Sequence, residues 1–558
     1  MIHENRNHQA VAWLWIIFSI ALLLRFYGID FGKPYNYHPD ETKLVTQAGR
    51  LLASRFMDKD AYFAINVYPP FYTYMLAGAM GGYIGLGLLS GHFESLDAVR
   101  IAYDTEPFQF YLISRSLVAI LGALSVLLVY KIASRLYTRR IGVFAALLLA
   151  VNFLHVRNSH FGTVDVPATF LGLVSIYFCA RILQEGRLIH YIYAAIFAAF
   201  ALATKFSMFT LAIPILFAHS GRYPARSWIK HLFDRKLWGA AGAGIGAFLI
   251  GCPLIWLDFR ETWGGIVGTS RFERIGKIGS GGGFLSYWTG DQADGFGVFY
   301  PNSIPETFGV FLTLLAALAI LYLMLKHRRE DLFLLACAIP MYILFEKMSI
   351  KAMRHILPII PLILLAMAIL IVEITEKLKH RSTRTAALLI PVLFFSVAQF
   401  SVAISYQRAL LHDDPRTTAT TWIQQNLPPD SAVAIESFPP LLFLQKEHNF
   451  TLYETEWMSK TLNKRQEFME FMNSNGSLYY VADDFTRQTF TWKFTQKKYP
   501  EIAKDRIDFF DWLERNSEKL VTFKSAHPKI QPTITIYYIA RPDDNTTNRA
   551  ELTGLYTL

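Results

Sequence analysis

Ile356-Leu-Pro-Ile-Ile-Pro-Leu-Ile-Leu-Leu-Ala-Met-Ala-Ile-Leu-Ile-Val-Glu-Ile374 carries one charged side chain, Glu373, near its end. A helix needs about 20 mainly apolar residues to cross a ~30 Å hydrocarbon core, so this run reads as a membrane span. Comparable runs recur at 11–24, 237–257 and 308–325. The whole chain of 558 residues is 53% hydrophobic and 18% charged, with mean hydropathy +0.27. Soluble domains carry about 25% charged residues. The sequence therefore predicts a polytopic α-helical membrane protein and excludes a string of soluble domains, a disordered chain, a fibrous repeat and a disulfide scaffold. Cys179, Cys252 and Cys337 all lie in apolar runs, with neither metal spacing nor an even-numbered framework, and are expected to be buried thiols. The run 11–24 is followed by Arg25 and no small-residue cleavage site, so it is expected to stay as the first span.

The net charge of +10 is concentrated in short loops, where Lys and Arg mark the cytoplasmic side. Loops 131–140, 181–187, 219–236, 326–330 and 375–384 are basic. Eleven spans follow: 10–27, 109–130, 141–154, 164–181, 188–204, 206–219, 237–257, 308–325, 332–348, 355–374 and 385–405, with a cytoplasmic N-terminus. Segment 71–89 is apolar but cannot cross without reversing loop 131–140. Its glycines and aromatic entrance suit a helix at the outer interface or a re-entrant one. The outer face then receives 28–108, 155–163, 258–307, the turn near 347–354 and the tail. Gly-rich 276–283 is expected to be a flexible loop. The tail alternates candidate strands (432–435, 478–482, 520–523, 533–540) with helices (417–426, 501–516), the pattern of a small α/β domain. The chain thus divides into a membrane module, 1–405, and an extracytoplasmic α/β domain, 406–558.

Unusual polar residues gather on the outer face. In Tyr35-Asn-Tyr-His-Pro-Asp-Glu-Thr42, Pro39 fits the first helical position and Asp40 and Glu41 the first turn. The positive end of a helix favours ionised carboxylates, and such a carboxylate serves as general base toward a hydroxyl. The plain alternative is an acidic helix start. In His155-Val-Arg-Asn-Ser-His-Phe-Gly-Thr-Val-Asp-Val-Pro167, Asp165 stands at the membrane boundary, where an unpaired acid is costly. Arg157 is an obvious partner. His155, His160 and Asp165 match no strong metal spacing, and no metal is expected. Arg115, Lys205, Lys347, Lys351, Arg354 and His355 oppose the positive-inside trend. Such a cluster suits a lipid phosphate, although any one of them alone is explained by snorkelling. No Gly-rich phosphate loop, GxSxG or HExxH is present. Together the parts predict a phosphate-linked lipid entering from the bilayer, its leaving charge held by cations and its acceptor deprotonated by a carboxylate.

Tyr37-His-Pro-Asp-Glu-Thr42 resembles the acidic motif of the GT-C glycosyltransferases, and more specifically of the protein O-mannosyltransferase and lipid A aminoarabinose transferase superfamily. Tyr68-Pro-Pro-Phe71 is similar to that family's Lys-Pro-Pro-Leu element, Ser159-His-Phe-Gly-Thr-Val-Asp-Val-Pro167 to its second acidic element, and Arg354-His-Ile-Leu-Pro358 to its Arg-Tyr-x-Leu-Pro element. The resemblance spans 1–405 in layout. It implies inverting transfer of a sugar from a polyprenyl-phosphate carrier, without nucleotide sugar, metal or other cofactor. It implies Asp40 as catalytic base, Glu41 as its support and Asp165 as a second acid. The substrate and lipid-phosphate contacts would come from His38, Tyr68, Arg115, Arg157, His160, Lys205, Arg354 and His355. Tyr68 departs from the Lys of the aminoarabinose transferases. The tail is similar to the variable C-terminal domain of bacterial relatives, which implies a bacterial inner membrane and undecaprenyl phosphate as carrier. The acceptor would be a protein, lipid or glycan; nucleic acid has no place in this scheme.

A transporter or flippase of lipid-linked sugars is the alternative. That class shows internal repeats and broken mid-membrane helices, whereas here the polar residues lie at one boundary and no repeat is visible. A surface-binding protein anchored by its spans would not need eleven of them.

Overall fold

Away from water a backbone must satisfy its own N–H and C=O groups, which an α-helix does within one segment. The computed structural model describes residues 2–53, 69–223, 231, 233–253, 259, 301, 303–305, 309–348, 351–436, 450–459, 461–475, 477–525 and 531–540. Within them the apolar runs are helices. Four are long and apolar enough to cross a membrane: Phe108–Leu136, Asp165–Glu185, Met353–Glu376 and a run within Ser382–Asn426. Val11–Phe26, Leu188–Leu202, Phe206–Ser220 and Val310–Lys326 are shorter apolar helices. Arg139–Val151, Arg235–Gly251 and Arg329–Glu346 fall on the remaining expected positions. Tyr68 and the Gly-rich 276–283 lie outside the described residues.

Local chemistry sets the helix ends. Thr138 caps Arg139–Val151 by accepting from the Ile141 N–H at 3.2 Å, and Asp234 caps Arg235–Gly251 through the Lys236 N–H at 2.9 Å; each satisfies an orphan donor of the first turn. Lipid gives helices no hydrophobic reason to associate, so close packing between small residues carries the contact. Leu188–Leu202 and Arg235–Gly251 pack this way along their lengths, with Ala194, Ala195, Ala240 and Ala247 buried.

Segment 71–89 is the helix Phe71–Leu89. Its entrance is anchored sideways: the Phe71 N–H donates to the Ala203 carbonyl at 2.9 Å, and the Phe71 ring stacks on Phe200 at 4.3 Å. Pro39–Ala53 and Leu96–Thr105 are the other helices among the described residues of this first long loop. Both are amphipathic in sequence, as interfacial helices are.

The tail carries a five-stranded sheet in the order β2-β1-β3-β5-β4. Its strands are β1 (Ala432–Ile435), β2 (Thr451–Glu454), β3 (Leu478–Asp483), β4 (Glu518–Phe523) and β5 (Ile534–Ile539). β1 runs parallel to β2 and β3, while β5 is antiparallel to β3 and β4. Four of these strands fall on the segments expected from sequence; β2 does not. It is an edge strand whose residues are exposed or half-buried, so no buried alternation marks it. Lys464–Asn475 and Asp484–Thr491 are further helices that the sequence pattern does not reveal. One face of the sheet packs on Trp457, Phe468 and Phe509, the other on Ala419 and Ile423 of Pro415–Asn426.

Candidate active site

Asn36 shapes the start of the acidic helix. Its Oδ1 accepts the His38 N–H at 3.2 Å and its amide donates to Thr42 Oγ1 at 3.1 Å. Pro39–Ala53 then begins with Asp40 and Glu41 in its first turn, as expected. Consecutive positions on a helix point about 100° apart, and the two carboxylates meet different surroundings.

Glu41 is fully buried. Arg115 Nε and Nη2 grip its two oxygens at 3.0 Å each, and the Gly162 N–H donates to Oε1 at 2.6 Å. The remaining Arg115 donors go to the carbonyls of Ile29 and Phe31, both at 2.9 Å, and to Asn36 Oδ1 at 3.3 Å. All five guanidinium N–H groups are thereby used inside the fold. The expected role of Arg115 as a phosphate ligand does not fit this geometry; it is the counter-ion that holds Glu41. Gly162 is required here, since a Cβ would stand 2.2 Å from Ser114 Oγ and 3.4 Å from Glu41 Oε1.

Asp40 faces the other way. Arg354 lies 3.4 Å from its carboxylate and Lys43 4.0 Å. The Arg354 side chain is 37% exposed and lines a cavity of about 440 Å³. His38, Arg157, Asn158 and Thr163 line the same cavity. Arg157 Nε donates to the Tyr406 hydroxyl at 3.3 Å, its guanidinium lies 5.4 Å from that ring's centre, and no carboxylate pairs with it among the described residues. The Asp40 N–H donates to His38 Nδ1 at 3.3 Å, which leaves Nε2 carrying the proton. Burial, opposed by the charges of Glu41 and Asp40, holds the His38 imidazole below its usual range, so it is neutral at pH 7.

Asp165, in the first turn of its helix, is buried and bonded to Lys205 Nζ at 2.6 Å. Arg354 and His355 are within electrostatic reach of this pair. His355 Nδ1 accepts the Ala352 N–H at 3.3 Å. Arg157 does not pair with Asp165, contrary to the simplest expectation. Lys351 is buried against Glu346 at 3.3 Å and is not available as a surface cation. His160 is buried with its ring nitrogens at the Val156 and Tyr27 carbonyls, 2.9 and 3.0 Å away. It ties two segments together and does not line the cavity. His155 Nδ1 meets Arg25 Nη2 at 3.0 Å, so His155, His160 and Asp165 turn to three different partners.

The sequence does not point to the other wall. Asp414, Arg416, Phe485 and Gln531, all from the tail, complete the cavity lining. Asp414-Pro415-Arg416 is legible as a capped helix start, but nothing local says that it meets Tyr37. There the Thr417 hydroxyl contacts the Tyr37 hydroxyl, and Arg416 lies 3.9 Å over the Tyr37 ring centre. Tyr37 folds back over Gly32. The φ of +79° at Gly32, and the 2.8 Å that would separate a Cβ there from the ring, suit only glycine.

A second cavity of about 390 Å³ is almost wholly apolar, lined by Leu312, Ala316, Ile320, Leu334, Ile363 and Phe395 among others. Asn152 and Ile359 also border it. They belong to the same two segments that carry Arg157 and Arg354 at the polar cavity.

Residues 112–256 match a family model described as dolichyl-phosphate-mannose-protein mannosyltransferase. ArnT from Cupriavidus metallidurans, solved with undecaprenyl phosphate bound, is similar in fold: TM-score 0.53 at 15% identity, over 94% of this chain and 98% of that one. The apo oligosaccharyltransferase of Archaeoglobus fulgidus gives 0.54 at 14% identity, over 97% of this chain and 75% of that one. The oligosaccharyltransferase AglB of Archaeoglobus fulgidus, in complex with an inhibitory peptide and a dolichol-phosphate, gives 0.50 at 12% identity, over 97% of this chain and 75% of that one. No curated protein matches at the level of sequence. The family model covers residues 112–256 of the 558, and the likeness to these solved structures is one of fold.

Proposed function

We propose that this chain transfers a sugar from a polyprenyl-phosphate carrier to an acceptor hydroxyl, with inversion, at the outer face of a bacterial inner membrane. Eleven spans and an outer tail domain complete the proposal. The observation that carries it is the pairing of Asp40 with Arg354 at the edge of a cavity that also holds Arg157. Asp40 takes the proton from the acceptor hydroxyl. The oxygen attacks the anomeric carbon from the face opposite the phosphate. The bond from that carbon to the phosphate oxygen breaks, and the polyprenyl phosphate leaves with the electron pair. Arg157 and Arg354 stabilise the charge that develops on it. The Asp165–Lys205 pair lies within electrostatic reach of Arg354 and sets the charge around it. The apolar cavity bordered by the same two segments suits the prenyl chain, with phosphate at one end and hydrocarbon along the other. No metal or cofactor enters the scheme.

The test is transfer by purified protein in nanodiscs, supplied with polyprenyl-phosphate sugars and membrane acceptors. Asp40→Asn should stop transfer while the variant still binds undecaprenyl phosphate. Full activity in Asp40→Asn would remove the base assignment, and failure of the wild-type protein to bind the carrier would remove the transferase reading.

A further inference from the structure

The polar cavity has two walls of unlike chemistry. The membrane-module wall is cationic, through Arg157 and Arg354. The tail wall presents Arg416, Asp414, Phe485 and Gln531. There the guanidinium is already neutralised, because Arg416 Nε and Nη2 donate to the two oxygens of Asp414 at 2.8 Å each. A neutralised pair has no surplus charge with which to draw in a phosphate. It keeps directional hydrogen bonding: Arg416 is 6% exposed, and its Nη1 has no hydrogen-bond partner among the described residues. The Tyr37 ring beneath it, 3.9 Å away, holds the guanidinium plane in place. Gln531 is anchored by its Nε2 on the Ala409 carbonyl at 3.3 Å. Phe485 adds an aromatic surface. A volume of about 440 Å³ falls within the ~300–1,000 Å³ of small-molecule sites, more than a phosphate alone would fill.

We infer that the tail wall of this cavity, built on Arg416, Asp414, Phe485 and Gln531, is a saccharide subsite. The Arg416 Nη1 donors left over from the Asp414 pair, the spare lone pairs of that carboxylate and the Gln531 Oε1, which has no hydrogen-bond partner among the described residues, match the paired hydroxyls of a pyranose, and an aromatic surface packs against its C–H face. The inference rests on the transferase reading and adds to it where the sugar is recognised. The sugar comes from the donor or from a glycan acceptor, and the subsite's chemistry is the same for both.

Native mass spectrometry of the full-length protein in nanodiscs separates these. The probes are undecaprenyl phosphate and undecaprenyl phosphate mannose, followed by free oligosaccharides added to protein loaded with undecaprenyl phosphate. Arg416→Lys keeps the charge and loses the fork. Phe485→Leu disturbs the wall without touching the Asp414 pair, and covers the case in which Arg416→Lys fails to fold. Both should bind bare undecaprenyl phosphate as the wild type does. If the donor's sugar occupies the wall, Arg416→Lys loses roughly tenfold or more in affinity for the mannose-bearing carrier, the worth of a charge-assisted hydrogen bond, and Phe485→Leu loses affinity for the same probe. If an acceptor glycan occupies it, both variants bind the two carriers as the wild type does, and the oligosaccharide signal is the one that falls. Unchanged binding of every saccharide probe overturns the subsite. So does an equal loss of the bare and sugar-bearing carriers, which would make the wall part of the phosphate site. A wild-type protein that binds no undecaprenyl phosphate overturns the transferase reading itself.

Discussion

Asp40 and Glu41 are neighbours in one helical turn, and the fold uses them in opposite ways. Glu41 is sealed, with both oxygens gripped by Arg115 and a third bond from the Gly162 N–H. Asp40 is held more loosely, by Arg354 at 3.4 Å, and the Arg354 side chain lines the polar cavity. A sealed carboxylate has no path to a substrate proton, whereas a loosely held one does. The pair teaches that an acidic motif can combine a structural pin with a reactive group, the first fixing the direction of the second.

Each half of that comparison can be broken separately. The largest effect should come from Asp40→Asn, which keeps the side-chain shape. Loss of a general base is worth about 10²–10⁴-fold in rate, so transfer assayed in nanodiscs should fall by that much while the melting temperature stays put. A variant that melts early would place Asp40 with Glu41 as structure. Glu41→Ala should do the reverse. It leaves the Arg115 charge buried and unpaired, a change that costs about 3–5 kcal/mol, read as lost folded protein in thermal unfolding in detergent. Adding Arg115→Met should restore part of the stability, because the uncompensated charge goes. If the double variant is no better than the single one, the pair is not the unit described. Gly162→Ala should cost about 1–3 kcal/mol by overpacking, since its methyl meets Ser114 and crowds Glu41. Wild-type stability in that variant would show that the Glu41 pocket is looser than its distances imply.

Much of this architecture is legible in the sequence because the bilayer imposes a simple code. Long apolar runs form helices at the expected places, Phe71–Leu89 among them. Asp165 stands out because an unpaired acid at a membrane boundary is costly, and Asp40 because it falls in the first turn of a helix, where a carboxylate is favoured. Which charge meets which is not legible. Arg115 reads as an outer phosphate ligand, since no pattern in sequence links it to Glu41 across 74 positions. Arg157 and Asp165 are close in sequence, yet Asp165 pairs with Lys205. The tail wall is invisible for the same reason: Arg416 reaches Tyr37 only through tertiary packing. In the tail itself β2 escapes notice because a short, exposed edge strand carries no alternation.

The tail holds its own contrast to the Glu41 site, a buried carboxylate with no cation bonded to it among the described residues. Glu436, just after β1, accepts from the Tyr480 hydroxyl at 2.6 Å and from the Asp483 N–H at 2.8 Å. Burial first, and then the charge of Asp483, hold its carboxyl well above the usual range. Burial also raises Asp483, against the bonds it receives from Thr486. A carboxyl with a raised folded pKa binds its proton more tightly in the native state than in the unfolded one. Its contribution to stability is therefore complete below the unfolded value of about 4.3 and is lost as the pH rises through the folded value. The slope is at most about 1.4 kcal/mol per pH unit for one proton. Hydrogen exchange of the β1 and β3 amides in the full-length protein, corrected for chemical exchange rates, should show opening becoming easier as the pH rises above the unfolded value. Glu436→Gln has no proton to lose, so its opening free energy should vary less with pH. Parallel slopes in the two proteins would mean that Glu436 is ionised in the fold, and that a buried acid can be held here as at Glu41 but without an arginine.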